Sequence, residues 1–276
     1  MESLTLVFLS PLFLAFMIWE YRKLRSECRE DYSIREILCN FSLAGLHQGA
    51  DLLATLLLMP FFIWLYQFRL FNIEPGIISF FFAFLLQDFF YYWFHRASHN
   101  VHWMWASHVA HHSSRRMNFT TAFRQSLTYP VSGMWLFWTP MMFIGFHPDF
   151  VVLIVALNLG FQFFVHTRMV KHLGWLEYIF NTPSHHRVHH ARNPEYIDRN
   201  FAGVLIIWDK FFGTFVKEKD GISIDYGIPK QLDSWNPIVV TFHQWKTLLS
   251  LAFSLKRKTL RQRLLHLFGP PAYSDH

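Results

Sequence analysis

The chain of 276 residues is strongly apolar: hydrophobic residues make up 52% of it, aromatic residues 19% and charged residues only 16%. The apolar residues fall in blocks too long for strands, and the basic residues gather just outside those blocks. The net charge of +6 therefore indicates contact with anionic lipid head groups, and nucleic acid is excluded as a partner. Cys28 and Cys39 match neither a zinc-binding spacing nor a disulfide framework, so we expect inert reduced thiols. The composition predicts an all-α integral membrane protein that forms one domain over residues 1–276.

The first apolar segment, Leu4 to Trp19, is followed by the basic run Tyr21-Arg22-Lys23-Leu24-Arg25. It starts with Glu2 instead of basic residues, and no small-x-small cleavage site follows it, so we interpret it as an uncleaved anchor. The basic flank places its C-terminal end in the cytoplasm. Residues 20 to 45 are then expected to be cytoplasmic and soluble.

Two further blocks are long enough to span a bilayer, Leu46 to Tyr66 and Ile77 to Phe94. His47 and Asp51 lie four residues apart where the first of these begins. They are either a functional pair inside the membrane or groups at head-group depth, and the sequence leaves both interpretations open. Asp88 lies inside the second block, seven residues before His95. Its carboxylate needs a partner, either the outward N–H of a metal-bound imidazole or an arginine.

Two apolar runs, Tyr129 to Phe146 and Phe150 to Val165, are joined by a turn at His147-Pro148-Asp149. We interpret them as a helical hairpin that dips into the membrane and returns, which makes about four transmembrane helices. The returning helix carries a polar stripe of residues four apart, Asn158, Gln162 and His166. His166, at the end of this stripe, is expected to bind metal. Support of the ligands is expected from three residues: Asp88, Asn158 and Gln162. His172 lies off this stripe and is expected at the surface.

The last third of the chain is predicted to lie at the cytoplasmic surface. Thr182 and Pro183 are typical of a helix start. The segment from Gly203 to Phe215 is too short to cross the membrane and is expected to cover the site. The basic amphipathic stretch from Leu255 to Phe268 predicts an interfacial helix.

Three groups of histidines stand out from this background. Residues three and four apart share one face of a helix, so each group can offer two or three imidazoles to one point. The groups are His95/His99, His108/His111/His112 and His186/His189/His190. Neutral imidazole suits zinc, copper, iron and nickel. There are more ligands than one tetrahedral zinc can use, so we expect two metal ions.

The positive-inside rule places all three histidine groups on the same side of the membrane. The basic segments around Arg22, Arg115 and Arg187 fall inside, whereas the turn at residues 67–76 carries only Arg69 and falls outside. The fold is thus expected to have a histidine-rich helical cap on the cytoplasmic side, in which the groups can meet.

Such a cap has several chemical uses between which periodicity does not choose. One is oxygen activation by two non-haem irons that act on a lipid entering from the membrane. A second is hydrolysis by zinc, which lowers the pKa of bound water. A third is a metal or haem carrier without enzymatic activity.

The three histidine groups have the spacing HxxxH, HxxHH and HxxHH, and the chain also contains the phrases FHRASH, MWASHVAHHSS, TAFRQS, HTRMV, NTPSHHRVHH and GVLIIWDKFFGTF. Together these motifs resemble the fatty acid hydroxylase superfamily, also called the sterol desaturase family. The wording of the motifs is closest to its alkylglycerol monooxygenase branch and the bacterial relatives of that branch. The resemblance covers roughly residues 88–215, which we take as the histidine-box core.

This resemblance implies a membrane-bound di-iron oxygenase that uses O2 to hydroxylate or desaturate a lipid or sterol-like chain. It implies two iron ions, with zinc possible in purified protein, and an external electron donor or reductant of unknown identity. It also implies His166 and His185 as further ligands. The full expected set is then His95, His99, His108, His111, His112, His166, His185, His186, His189 and His190.

Overall fold

The computed structural model describes residues 2–27, 32–254 and 258–272. Within these ranges the chain contains no strand, only two single β-bridges, and forms eleven α-helices with short 3-10 helices between them. The predicted all-α class is confirmed for this part of the chain. The helices are α1 (Glu2–Glu27), α2 (Ile34–Tyr66), α3 (Ile77–Asn100), α4 (His102–His112), α5 (Tyr129–Ser132), α6 (Thr139–Ile144), α7 (Pro148–Phe163), α8 (Pro183–His189), α9 (Ile207–Phe211), α10 (Pro237–Ala252) and α11 (Leu260–Phe268).

Helix α1 contains the first predicted apolar segment and continues to Glu27. Its Phe13 stacks on Phe163 of α7 with ring centroids 4.2 Å apart. Glu20 is fully buried and accepts a hydrogen bond of 2.7 Å from the backbone N–H of Phe119. One face of α1 therefore packs against the protein. Cys28 lies outside the described residues, whereas Cys39 is a buried free thiol.

Two helices among the described residues, α2 and α3, are long and apolar enough to cross a membrane. The outer face of α2 exposes a row of leucines: Leu52, Leu53, Leu56 and Leu57. Exposed leucines on a helix of this length are typical of contact with lipid. These features indicate a membrane protein, while the four predicted transmembrane helices are not confirmed.

The N-terminal part of α2 corrects one prediction. The helix begins at Ile34 and not at Leu46, so residues 34–45 belong to the same helix as the predicted span. Its 33 residues extend to about 50 Å, well beyond a bilayer core of about 30 Å. The additional turns pack on the histidine-rich region: Glu36 forms an ion pair of 2.9 Å with Arg116, and Asn40 donates to Thr120 at 3.2 Å.

The first limb of the predicted hairpin is also corrected. Residues 129–146 do not form one helix but two short α-helices, α5 and α6, with a 3-10 helix between them. Gly133 and Gly145 adopt φ values of +87° and +131° and interrupt the run. The second limb is one helix, α7, and His147 caps its start by accepting a hydrogen bond from the N–H of Asp149.

An apolar core joins α2, α3 and α7 and holds the histidine-bearing segments at one end. Buried members of this core include Phe62, Tyr91, Phe94, Trp138 and Ile154. Helix α3 ends in the turns that carry His95 and His99, and α4 starts two residues after α3 ends. The packing of long helices therefore determines where the histidines lie.

Two of the C-terminal segments contain short helices. The segment from Gly203 to Phe215 contains α9, a helix of five residues, which is too short to span a bilayer. The predicted interfacial helix is α11, and residues 255–257 lie outside the described part. Leu260, Leu264 and Phe268 are exposed along one side of α11, and its position at a membrane surface stays a prediction.

Candidate metal centre

Nine buried histidines form two compact groups in which the candidate ligand atoms lie within 4.8 Å of one another. Cluster 1 consists of His95, His99, His108, His112 and His189, and cluster 2 of His111, His166, His186 and His190. The clusters adjoin, since the rings of His112 and His190 stack with centroids 4.5 Å apart. The structure therefore brings together three segments that are far apart in the chain.

Helical geometry explains how each three-histidine box is divided between the clusters. Residues four apart on a helix are rotated by only about 40°, whereas residues three apart differ by about 60° in the opposite sense. In α4, His108 and His112 accordingly point to cluster 1 and His111 to cluster 2. In α8 the assignment is reversed: His186 and His190, the helix's C-cap residue, point to cluster 2 and His189 to cluster 1.

The outer ring nitrogens of several histidines donate to backbone carbonyl oxygens. The Nδ1–H groups of His95, His166 and His189 donate to Phe201, Gln162 and Arg199 at 2.8, 2.7 and 2.9 Å. A carbonyl oxygen only accepts, so Nδ1 carries the proton in each ring. Nε2 of each neutral imidazole is then a bare lone pair.

The resulting lone pairs point at each other. Nε2 of His111 lies 3.2 Å from Nε2 of His166, and both rings donate from Nδ1 to a carbonyl. No proton is left to bridge the two nitrogens. Nε2 of His99 and of His189 are buried and have no hydrogen-bond partner. Unpaired lone pairs are costly when buried, so the arrangement fits metal cations that accept them.

Protonation does not remove this repulsion, because burial disfavours the charged imidazole. Burial, and after it the neighbouring histidines, holds the pKa values of His108, His112 and His189 well below 6.5. Burial lowers the pKa of His166 to about 4. These four rings are thus neutral at physiological pH, which is the form that binds metal.

His185, which the resemblance implied as a ligand, belongs to neither cluster. Its ring lies against Phe215 with centroids 5.3 Å apart, and its Nδ1 is buried without a partner. The reason is angular: next to His186 on α8, it is rotated by about 100° away from the clusters. His172 is near the surface, 3.5 Å from Glu177, as expected.

Asp88, Asn158 and Gln162 form one buried hydrogen-bonded network. Asn158 donates to Asp88 at 2.9 Å, Gln162 donates to Asn158 at 2.6 Å, and the hydroxyl of Tyr91 donates to Gln162 at 2.8 Å. The network joins α3 to α7. Gln162 also touches the centre directly, because its backbone carbonyl accepts from His166.

Among the described residues, the Asp88 carboxylate contacts neither an imidazole nor an arginine, the two partners predicted for it. The carboxylate accepts from the backbone N–H groups of Val204 and Leu205 at 2.8 and 3.0 Å and from Trp208 Nε1 at 3.0 Å. Together with Asn158 these donors satisfy it without an imidazole or an arginine. Asp88 therefore fixes the segment before α9 against α3.

Among the described residues, two side chains that the sequence did not reveal contact histidines of cluster 1. The hydroxyl of Tyr129 lies 2.5 Å from His108 Nδ1, and Asp198 lies 3.2 Å from His99 Nδ1. Tyr129 sits at the start of an apolar run, and Asp198 in a charged loop at a φ of +56°. Only the fold brings either residue next to a histidine.

Nine buried imidazoles converge in two groups that could hold metal ions, in an all-helical chain with two helices of membrane-spanning length. These features define the class: a membrane protein with a polyhistidine candidate metal site. Residues 80–214 match the model of the fatty acid hydroxylase family. This stretch is a fatty acid hydroxylase domain, which confirms the resemblance predicted from the histidine motifs.

Curated relatives agree with this assignment. The chain is 47% identical to alkylglycerol monooxygenase of Homo sapiens over 184 residues, 66% of the chain and 40% of that protein. It is 48% identical to alkylglycerol monooxygenase of Danio rerio over 160 residues, 58% of the chain and 35% of that protein. With an ornithine lipid hydroxylase of Rhizobium tropici it shares 28% over 144 residues, 52% of the chain and 44% of that protein. The chain thus spans less than half the length of these relatives, and no solved structure is significantly similar to it.

Proposed function

We propose that the chain is a membrane-bound non-haem di-iron oxidoreductase that uses O2 to hydroxylate, or desaturate, the alkyl or acyl chain of a lipid or sterol-like substrate. The observation that carries the proposal is the pair of adjoining imidazole clusters inside a fatty acid hydroxylase domain. The names of the relatives, monooxygenase and lipid hydroxylase, support oxygen insertion into a lipid. Zinc has no redox chemistry, so iron suits this reaction better.

One ion would be held by cluster 1 and the other by cluster 2. The iron pair would supply the redox chemistry that activates O2, with electrons from an external donor. The residues of the chain orient and protect this centre. Backbone carbonyls of Phe201, Gln162 and Arg199 fix the ring tautomers, so that Nε2 faces inward.

The surrounding residues keep the centre dry and neutral. All nine cluster histidines are buried, and aromatic rings close over cluster 1: Phe201 lies 5.2 Å from the ring of His99 and 6.0 Å from that of His189. Tyr129 shares a proton with His108 Nδ1 at 2.5 Å. Exclusion of water prevents side reactions of an oxidising centre. By the positive-inside rule the centre lies on the cytoplasmic side.

The test is a comparison of lipids after turnover. Protein purified anaerobically in lipid nanodiscs is loaded with Fe(II), given a chemical reductant and O2, and its lipids are analysed by mass spectrometry. We expect oxygenated or newly unsaturated lipids that depend on iron and O2. His111→Ala should abolish them, whereas His172→Ala, at an exposed histidine, should leave them unchanged. Product formation by the zinc-loaded protein, or by His111→Ala, would contradict the proposal.

A further inference from the structure

A cleft enters the helical bundle between α2, the broken segment at residues 130–142 and α7, which we call the α2–α7 cleft. Its deep wall is formed by large apolar side chains, most of them buried: Phe62, Trp135, Trp138, Met142, Val151 and Val155. Its outer edge is formed by Thr55, Leu58 and Met59 on the face of α2 next to the exposed leucines. The cleft therefore opens where α2 meets lipid and leads into the core.

The polar groups of the cleft are confined to one stripe of α2. Asp51 and Thr55 both line the cleft and are one helical turn apart. Of the described residues that line it, none is Lys or Arg. A hydrocarbon chain would thus find apolar contacts along the cleft and hydrogen-bonding groups at one end only.

Asp51 is paired with a histidine that itself holds a fixed proton. His47 Nε2 lies 3.1 Å from the Asp51 carboxylate, and His47 Nδ1 donates to the carbonyl of Ser126 at 3.0 Å. Because Nδ1 carries one proton, the Nε2–carboxylate contact holds a second one, shared between the two groups. The pair is therefore neutral as a whole, with carboxyl oxygens free to accept from a further donor.

The polar end of the cleft is also the end nearest the metal centre. The ring of His47 lies against that of Tyr129, with centroids 5.6 Å apart. The hydroxyl of Tyr129 contacts His108 of cluster 1 at 2.5 Å. A ligand held by Asp51 is thus separated from a candidate metal ligand by two side chains.

We propose that the α2–α7 cleft binds the hydrocarbon chain of the lipid substrate, and that Asp51, held by His47 and joined by Thr55, binds an uncharged hydroxyl group on that lipid. This inference rests on the proposed lipid oxygenase function and adds its substrate-binding site. A hydroxyl can donate to the carboxyl oxygen of Asp51 and accept from Thr55. A phosphate in the same position would meet the carboxyl oxygen without an unpaired cation to balance it, so phosphorylated head groups are disfavoured.

Photolabelling locates the site without relying on turnover. The probe is a long-chain alkyl alcohol that carries a diazirine midway along its chain, added to the iron-loaded protein in zwitterionic nanodiscs. Adducts mapped by mass spectrometry are expected on Trp138, Met142 and Val155. In competition, an unlabelled alcohol of the same chain length should prevent labelling at about one tenth of the concentration that an alkyl phosphate needs.

Two pairs of variants test the assignment of residues. Asp51→Asn should weaken competition by the alcohol about tenfold and leave competition by an alkane unchanged, whereas Asp220→Asn, at an exposed aspartate, should change neither. Ala54→Phe, which narrows the cleft, should lower labelling at Trp138, whereas Leu57→Phe on the lipid-facing side should not. Metal content is measured for every variant to confirm that it is folded.

The outcomes separate this inference from the proposed function. Adducts confined to other surfaces, equal competition by alcohol and phosphate, or an unchanged Asp51→Asn variant would overturn the cleft assignment even if lipid oxidation is observed. Labelling in the cleft by a protein that never oxidises lipid would keep the binding site and refute the oxygenase.

Discussion

His111 and His166 face each other through two ring nitrogens that both lack a proton, at 3.2 Å. Their other nitrogens already donate to the carbonyls of Arg124 and Gln162. Two buried lone pairs at this distance repel unless a cation lies between them. His185, in contrast, lies outside both clusters, and its ring packs on Phe215.

This contrast gives a prediction for metal content. His166→Ala should reduce the bound metal from about two ions per chain to about one, because cluster 2 loses a quarter of its imidazoles and falls to three ligands. His185→Ala should retain both ions. Metal analysis of the two variants, prepared side by side under metal excess, makes the comparison. Equal loss from both variants would mean that His185 is a ligand after all.

Part of the centre could be predicted from residue spacing and part could not. His95 and His99 are one turn apart, and His166 ends a polar stripe with Asn158 and Gln162, so their common direction follows from helix periodicity. Spacing alone did not show that His111 leaves its neighbours for the other cluster. The backbone carbonyls that hold the rings cannot be identified from the sequence, because every residue has the same carbonyl whatever its side chain.

At the scale of elements, the turn between α2 and α3 docks on the end of α6. Leu70 and Phe71 donate from their backbone N–H groups to the carbonyls of Phe143 and Ile144 at 2.7 and 3.2 Å. Gly145 follows α6 at a φ of +131°, and a Cβ placed there would lie 2.1 Å from the carbonyl oxygen of Phe71. Only glycine fits where these two segments cross. The Pro and Gly residues in the run from Tyr129 to Phe146 are the signal that could have predicted its break.

Gly145→Ala should accordingly destabilise the protein by about 2 kcal/mol or more, since both the backbone conformation and the added methyl group are unfavourable. The matched control is Gly45→Ala in α2, where a Cβ meets no atom within 4 Å. This change should stabilise by about 0.5–1 kcal/mol, because alanine favours a helix. Unfolding in nanodiscs followed by tryptophan fluorescence measures both. Shifts of the same sign would contradict the assignment of Gly145 as a crossing point.

For the whole molecule, many neutral buried histidines make stability depend on pH. In the unfolded chain each histidine takes up a proton near pH 6.5. In the folded protein burial lowers the pKa of His166 to about 4. Burial also holds the pKa values of six further histidines well below 6.5: His108, His111, His112, His186, His189 and His190. The unfolded state thus binds more protons below pH 6.5, and the folded state loses stability as the pH falls. Burial raises the pKa of Asp209 to about 6, which acts in the opposite sense.

We therefore expect protein stripped of metal by a chelator to melt at a clearly lower temperature at pH 5.5 than at pH 7.5. Each of the histidines whose pKa burial holds well below 6.5 contributes a loss of about 1 kcal/mol over this interval. Calorimetry in nanodiscs at pH 7.5, 6.5 and 5.5 provides the measurement. A melting temperature that is constant or rises toward acid pH would show that the histidines are not neutral and buried together.

Phe201, Gln162, Arg199 and Arg124 hold ligand rings through their peptide carbonyls, so replacing these side chains leaves the acceptors chemically unchanged. Ring basicity, and with it the reduction potential of a bound metal, is adjusted at the side chains that contact the rings. Among the described residues these include Tyr129 and Asp198 on cluster 1, at 2.5 and 3.2 Å, and Gln125 on cluster 2 at the longer distance of 3.4 Å. An engineer who wishes to tune the oxidising strength of this centre without dismantling it would begin with that tyrosine and that aspartate.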